Sequence, residues 1–190
     1  MTPPGRQTPV LVITGPSGVG KGTLIQGLLA RCPGIELSVS ATTRAPRPDE
    51  RDGHAYHFLS PAEFEKRVGH GDFVEHAVYA GNRYGTLRSE LERPGRGIVL
   101  EIDLQGARQV RDTLPTATQV FIAPPSLEHL RMRLEGRGSD SPEQIAHRLR
   151  VAPTELAAKQ EFSHVVVNDD LDRALEELTG LAASMCAPDD

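Results

Sequence analysis

The sequence predicts an α/β protein: a parallel sheet with helices on both faces, and a small mixed lobe inserted into it. Three observations carry this prediction. Four short apolar runs read as buried strands: "PVLVITG" (9–15), "GIVLEIDLQG" (97–106), "TQVFIAP" (118–124) and "HVVVND" (164–169). Helical patterns alternate with them, and βα alternation builds a parallel sheet. Residues 38–92 break the alternation with a polar, Pro- and Arg-rich stretch followed by extended patches such as "AYHFL" and "DFVEHAVYA".

Each element has a local reason. In "TLIQGLLARC", after the first strand, Leu24, Ile25, Leu28 and Leu29 share one helical face. Ser60-Pro61-Ala62-Glu63 has the form of a capping box with proline at the first helical position, so a short helix starts inside the lobe. "ARQVRDTL" and "SLEHLRMRLEGR" follow the second and third strands as helices. Ser141-Pro142-Glu143-Gln144 opens a long helix that runs from Pro142 to about Glu161. The glycine-broken "EGRGSDS" before it reads as the hinge of a moving lid. "LDRALEELTGLAASM" closes the chain as an amphipathic helix.

Composition narrows the function classes. At 190 residues the chain suits one domain with a sizeable core. A net charge of -5 argues against a surface that coats nucleic acid. No run approaches the roughly 18 apolar residues of a membrane span, and the N-terminus lacks the apolar stretch of a signal peptide. Cys32 and Cys186 show no metal or redox spacing, and the expected setting is cytoplasmic. The histidines show no metal spacing either. Lys21, Lys66 and Lys159 are the only lysines in an arginine-rich chain. A lysine inside a glycine loop therefore suggests a need for a compact ammonium.

That loop, "GPSGVGKGT" (15–23), lies between a strand and a helix, the context a phosphate-binding loop requires. Gly15, Gly18 and Gly20 let backbone N–H groups approach phosphate oxygens, and Lys21 reaches the outer phosphates. The hydroxyl that normally follows the lysine is replaced by Gly22 and arrives one residue later, at Thr23. This form resembles the loop of nucleoside monophosphate kinases of the adenylate kinase type. ATP contacts are expected from Gly15, Pro16, Ser17, Gly18, Val19, Gly20, Lys21, Gly22 and Thr23. In "SATTRAPRPDE", Arg44 and Arg47 stand three residues apart, with Pro46 and Pro48 stiffening the chain. Read alone, this is either a solvated loop or a second anion site; a kinase requires the latter. Glu101 and Asp103 share one face at the carboxyl end of a strand, where ligands of open parallel sheets bind. Buried there, they imply either a cation or a structural ion pair.

"GPSGVGK", "SVSATTRAPRPDERDGHAYHF", "GDFVEHAVYAGNRYGT", "IDLQGARQV", "IAPPS", "LEGRG" and "VVVNDDL" together resemble guanylate kinase, in order, over about residues 9–187. The resemblance implies a P-loop NTPase core at 9–40 and 93–187, a GMP-binding lobe at 41–92 and a helical lid at about 130–155, all in one domain. It implies transfer of a phosphoryl group from ATP to GMP or dGMP, with Mg²⁺ as cofactor. Position by position, Ser40, Arg44, Arg47, Tyr56 and Tyr84 would hold the GMP phosphate, and Glu75 and Thr86 would read guanine. Asp103, with Glu101 as a second candidate, would sit between nucleotide and metal. Arg137 and Arg148 would be lid arginines acting in catalysis with Lys21 and Arg44, and Asn168 would lie near the adenine. Gly22 and Thr86 stand where many members carry serine. Two alternatives share the fold: a non-catalytic phosphopeptide-binding scaffold, and a kinase with a ribose-phosphate acceptor. Nothing in the sequence sets the oligomeric state.

Overall fold

Leucine-rich and β-branched runs set the strands, and the period-two alternation of their side chains decides what covers each face. The computed structural model describes residues 8–79, 81–93, 95–136, 138 and 141–185. The chain runs β1 (Val10–Thr14), α1 (Lys21–Arg31), β2 (Ile35–Leu37), β3 (Ala41–Thr42), β4 (His57–Phe58), α2 (Pro61–His70), β5 (Phe73–Tyr79) and β6 (Asn82–Leu87). It continues through β7 (Gly97–Glu101), α3 (Leu104–Thr113), β8 (Thr118–Ala123), α4 (Leu127–Gly136), α5 (Pro142–Ala157), β9 (His164–Val167) and α6 (Leu171–Met185). Short 3₁₀ turns lie at Arg88–Glu92 and Ala158–Glu161.

Five strands form an all-parallel sheet in the order β2-β7-β1-β8-β9. On β1, Leu11 and Ile13 join a cluster with Leu24, Leu28, Leu130, Leu134 and Leu178, so α1, α4 and α6 cover that face. Val10 and Val12 point the other way, into a cluster with Ile98, Leu100, Val110 and Phe121 under α3. The four expected strands are present. β2, only three residues long, carried no readable sequence signal. The long helix ends at Ala157, and residues 158–161 tighten into a 3₁₀ turn. Its start is a complete capping box: Ser141 Oγ accepts the Gln144 N–H (3.3 Å) and Gln144 Oε1 accepts the Ser141 N–H (2.8 Å).

Residues 41–87 build a second, mixed sheet in the order β4-β3-β6-β5. β3 and β4 are parallel; β3–β6 and β5–β6 are antiparallel. Ser60 caps α2 by accepting the Glu63 N–H at 3.1 Å, and the Glu63 carboxylate pairs onward with Arg67 rather than completing a box. The core of this sheet is small: Ala41, Phe64, Phe73 and Leu87, with Leu59 and Val68 packed alongside. Phe64 and Phe73 stack with ring centroids 4.4 Å apart. Among the described residues, no helix is long and apolar enough to cross a membrane.

So few side chains share this core that none is replaceable. Phe64→Ala is expected to cost about 3–5 kcal/mol, with amide protection lost mainly in the second sheet. Hydrogen exchange showing unchanged protection at residues 41–87 would contradict this packing account.

Candidate active site

The chain leaves the carboxyl end of β1 through three left-handed glycines, Gly15 (φ 138°), Gly18 (φ 86°) and Gly20 (φ 99°), a conformation that disfavours any side chain. Each is also walled in. A Cβ at Gly15 would strike the Ile122 carbonyl oxygen, at Gly18 the Leu134 side chain, and at Gly20 the Asn168 amide. Lys21 opens α1, and its ammonium turns back over the loop to the carbonyls of Gly15 (2.7 Å) and Pro16 (3.2 Å). Burial pushes the Lys21 pKa below its ordinary value, against the pull of Glu101, Glu155 and Asp103, and Arg148 adds to the lowering. From α5, Arg148 donates to Ser17 Oγ.

Asn168 is 4% exposed. Its amide donates to the Val19 carbonyl (2.8 Å), which also accepts from Arg133 Nη1 of α4 (2.9 Å). Arg133 Nη2 reaches the Asn168 carbonyl as well (2.8 Å), tying the phosphate loop to the turn after β9. Gly22 and Thr23 are exposed in the first turn of α1.

The arginine-rich loop also has a defined shape. Arg44 Nη2 donates to both oxygens of Glu50 (2.8 and 2.9 Å), and the Arg47 N–H donates to Glu50 Oε2 (2.8 Å). The Arg44 guanidinium lies 5.3 Å from the Tyr56 ring centroid, and Tyr56 meets Tyr84 edge-on at 6.0 Å. Arg44, Tyr56 and Tyr84 therefore come together. Arg47 itself is exposed, and Ser40 is half-buried beside them, its carbonyl accepting the His57 N–H (2.9 Å).

Glu75 and Thr86 are direct neighbours across β5 and β6, and both are buried. The Thr86 hydroxyl donates to Glu75 Oε1 at 2.8 Å. The other oxygen faces α3, where a Cβ at Gly106 would come within 2.5 Å of Glu75 Oε2, so only glycine leaves room for the carboxylate. Burial pushes the Glu75 pKa up to about 7; the Thr86 hydroxyl opposes this and the Asp103 charge adds to it.

Comparison with known proteins is consistent with this site. The family model described as guanylate kinase matches residues 7–184. The chain belongs to the guanylate kinase family. It is 57% identical over 173 residues to guanylate kinase of Parasynechococcus marenigrum (strain WH8102), covering 90% of this chain and 95% of that protein. It is 47% identical over 188 residues to that of Thiobacillus denitrificans (strain ATCC 25259 / T1), covering 97% and 90%. The crystal structure of guanylate kinase from Anaplasma phagocytophilum matches with a TM-score of 0.72 at 28% identity, covering 96% of this chain and 88% of that one.

Against the family pattern, one expectation needs correction. Glu101 and Asp103 are not a buried pair on one strand face. β7 ends at Glu101, which is exposed, and Asp103 is the half-buried N-cap of α3, its Oδ1 accepting the Gly106 N–H at 2.8 Å. The chain leaves the sheet between them, so period two no longer applies. Arg137 lies outside the described residues. The residues that sequence reasoning missed are Arg133, Glu50 and Gly106. Arg133 flanks the Leu130–Leu134 stripe of α4, and a charge at the margin of an apolar stripe was the available signal.

Gly22 has open space: a Cβ there meets nothing within 4 Å. Gly22→Ser should therefore gain about 0.5 kcal/mol in denaturant unfolding, because serine is the better helix former, with little change in the KM for ATP. A large rise in that KM would show that the loop does require glycine here.

Glu75 carries a pH signature. Its folded-state pKa of about 7 lies above the ordinary 4.5, so between these values the folded protein holds a proton that the unfolded chain releases. Its contribution to stability is thus greatest at low pH and declines as pH rises through the folded-state value. Wild type should lose stability relative to Glu75→Gln between about pH 5 and about pH 8 in urea titrations. Parallel profiles for the two proteins would refute the shift.

Proposed function

We propose that this protein phosphorylates GMP and dGMP at the expense of ATP. The observation that carries this reading is the buried Glu75–Thr86 pair, seated beside α3 in a molecule that also holds a phosphate loop. Guanine offers N1–H and N2 amino donors and an O6 acceptor. Ionised Glu75 accepts from both donors, and Thr86 turns its single proton from Glu75 to O6. Adenine presents a lone pair at N1 and lacks the N2 donors, which leaves the carboxylate unsatisfied.

In this reading Ser40, Arg44, Arg47, Tyr56 and Tyr84 hold the GMP phosphate. The loop from Gly15 to Thr23, including Pro16, Ser17, Gly18, Val19, Gly20 and Gly22, cradles the ATP phosphates. Lys21, Arg44, Arg148 and Arg137 offset the charge that develops on the transferred group. A GMP phosphate oxygen bonds to the γ-phosphorus, the bond to the β,γ-bridging oxygen breaks, and ADP leaves with that electron pair. The acceptor oxygen is already anionic, so no general base is required. Asn168 braces the loop that meets ATP, at its adenine side.

Mg²⁺ belongs to the same reading. Among the described residues, no three His, Cys, Asp or Glu side chains cluster as a cage. Asp103, with Glu101 near Lys21, fits an ion that takes most of its ligands from phosphates and water, as Mg²⁺ does. Bound there, it would supply neutralisation of the phosphate charge. A cytoplasmic setting agrees with the free thiol of Cys32. No observation favours the scaffold or the ribose-phosphate alternative.

A coupled ADP-release assay across GMP, dGMP, AMP and UMP tests the reading. GMP and dGMP should exceed AMP in kcat/KM by about 10⁴-fold. AMP turnover within about tenfold of GMP would overturn the assignment of Glu75 and Thr86.

A further inference from the structure

β5 is an edge strand, and an edge leaves backbone N–H and C=O groups in search of partners. Here α3 supplies them. The Gln109 side chain accepts the His76 N–H (3.1 Å) and donates to the His76 carbonyl (2.8 Å), completing both main-chain bonds of one residue as a neighbouring strand would. One turn on, Thr113 Oγ reaches the Val74 carbonyl at 3.1 Å, sharing its proton with the Gln109 carbonyl at 2.9 Å. Between Val74 and His76 stands Glu75, facing the missing Cβ of Gly106. Gly106, Gln109 and Thr113 fall on one face of the helix, spaced three and four apart. That face thus presents a gap, an amide and a hydroxyl to three consecutive residues of β5. The same helix begins at its N-cap, Asp103.

We propose that Gln109 is a specificity-positioning residue. By gripping His76 at both backbone atoms, it fixes where the Glu75 carboxylate stands relative to Asp103 and the phosphate loop. Gln109 touches no substrate in this account; it acts through β5. The β5–β6 register shifts between Phe73 and Glu75, so the β6 pairing alone leaves this stretch irregular and the second grip has work to do. This inference rests on the reading of Glu75 as the guanine acceptor.

The test is the ratio of kcat/KM for GMP to that for IMP, which keeps N1–H but lacks the N2 amino donor. Gln109→Met preserves length and removes both hydrogen bonds. The ratio should fall about tenfold, since small displacements of a positioned group carry large rate costs, while the KM for ATP changes little. A ratio close to that of wild type, whatever happens to Tm, would overturn the proposal. Gln109→Ala serves as the second variant, and failure of both to fold would assign Gln109 a structural role only and end the proposal likewise. If wild type itself fails to phosphorylate GMP, the functional reading falls and takes this inference with it, whereas an unchanged ratio in an active Gln109→Met overturns this inference alone.

Discussion

The phosphate loop keeps its shape because three left-handed glycines are each pressed against a different part of the core. Gly15 abuts the Ile122 carbonyl of β8, Gly18 the Leu134 side chain of α4, and Gly20 the Asn168 amide after β9. A side chain at any of them fails twice, once on backbone conformation and once on space. The nest is therefore a product of the assembled sheet and helices, not of nine residues alone. Val19, gripped through one carbonyl by Asn168 and Arg133, uses both lone pairs of that oxygen to fasten the loop's outer side. Whatever loosens α4 or the β9 turn loosens the anion site with it.

Burial acts on two titratable groups, Lys21 of the loop and Glu75 of β5, and moves their pKa values toward each other. Lys21 loses part of its preference for the charged form to burial, and three carboxylates pull in the other direction. Glu75 loses its preference for the charged form by the same mechanism, and Asp103 pushes it further. One carboxylate, Asp103, thus favours the Lys21 ammonium and disfavours ionisation of Glu75. Burial that disfavours the charge on both an ammonium and a carboxylate is a kind of perturbation that concentrates at functional sites.

Much of this was legible beforehand, for identifiable reasons. The four buried strands were long enough to show as apolar runs, and both caps were readable because Ser60 and Ser141 stand directly before prolines. β2 was invisible, since Ile35–Leu37 is too short to show a period. The glycine loop and the Arg44–Arg47 pair were visible because their chemistry is local. Glu50, Arg133 and Gly106 were not, because each acts on a partner fixed only by the fold. Gly106 is the clearest case: its value lies in a carboxylate 31 residues away in sequence, Glu75, that no helical pattern could announce. The misreading of Glu101 and Asp103 has the same root: the run was read as strand past Asp103, whereas β7 ends at Glu101.

The second sheet hangs on the first by two chain segments, and a single buried carboxylate joins them. Glu90, in the 3₁₀ turn that leads out of β6, accepts the Val39 N–H (2.8 Å) from the segment leading in. It also pairs with Arg93 (3.0 Å) and with His57 of β4 (3.0 Å). Burial alone would raise its pKa, yet the Val39 N–H, His57 and Arg93 together hold it below the ordinary carboxylate range. A charge taken out of water is tolerated only when its donors are all in place, so this cluster selects one arrangement of the two segments over looser ones. On the far side, α3 holds β5 through Gln109. The lobe that carries Arg44, Tyr56, Tyr84, Glu75 and Thr86 is thereby fixed at both ends by polar groups, which add to the packing of Val74 into the apolar cluster under α3. Polar fastening of this kind is directional, so it fixes the orientation of the buried Glu75–Thr86 pair as well as its position.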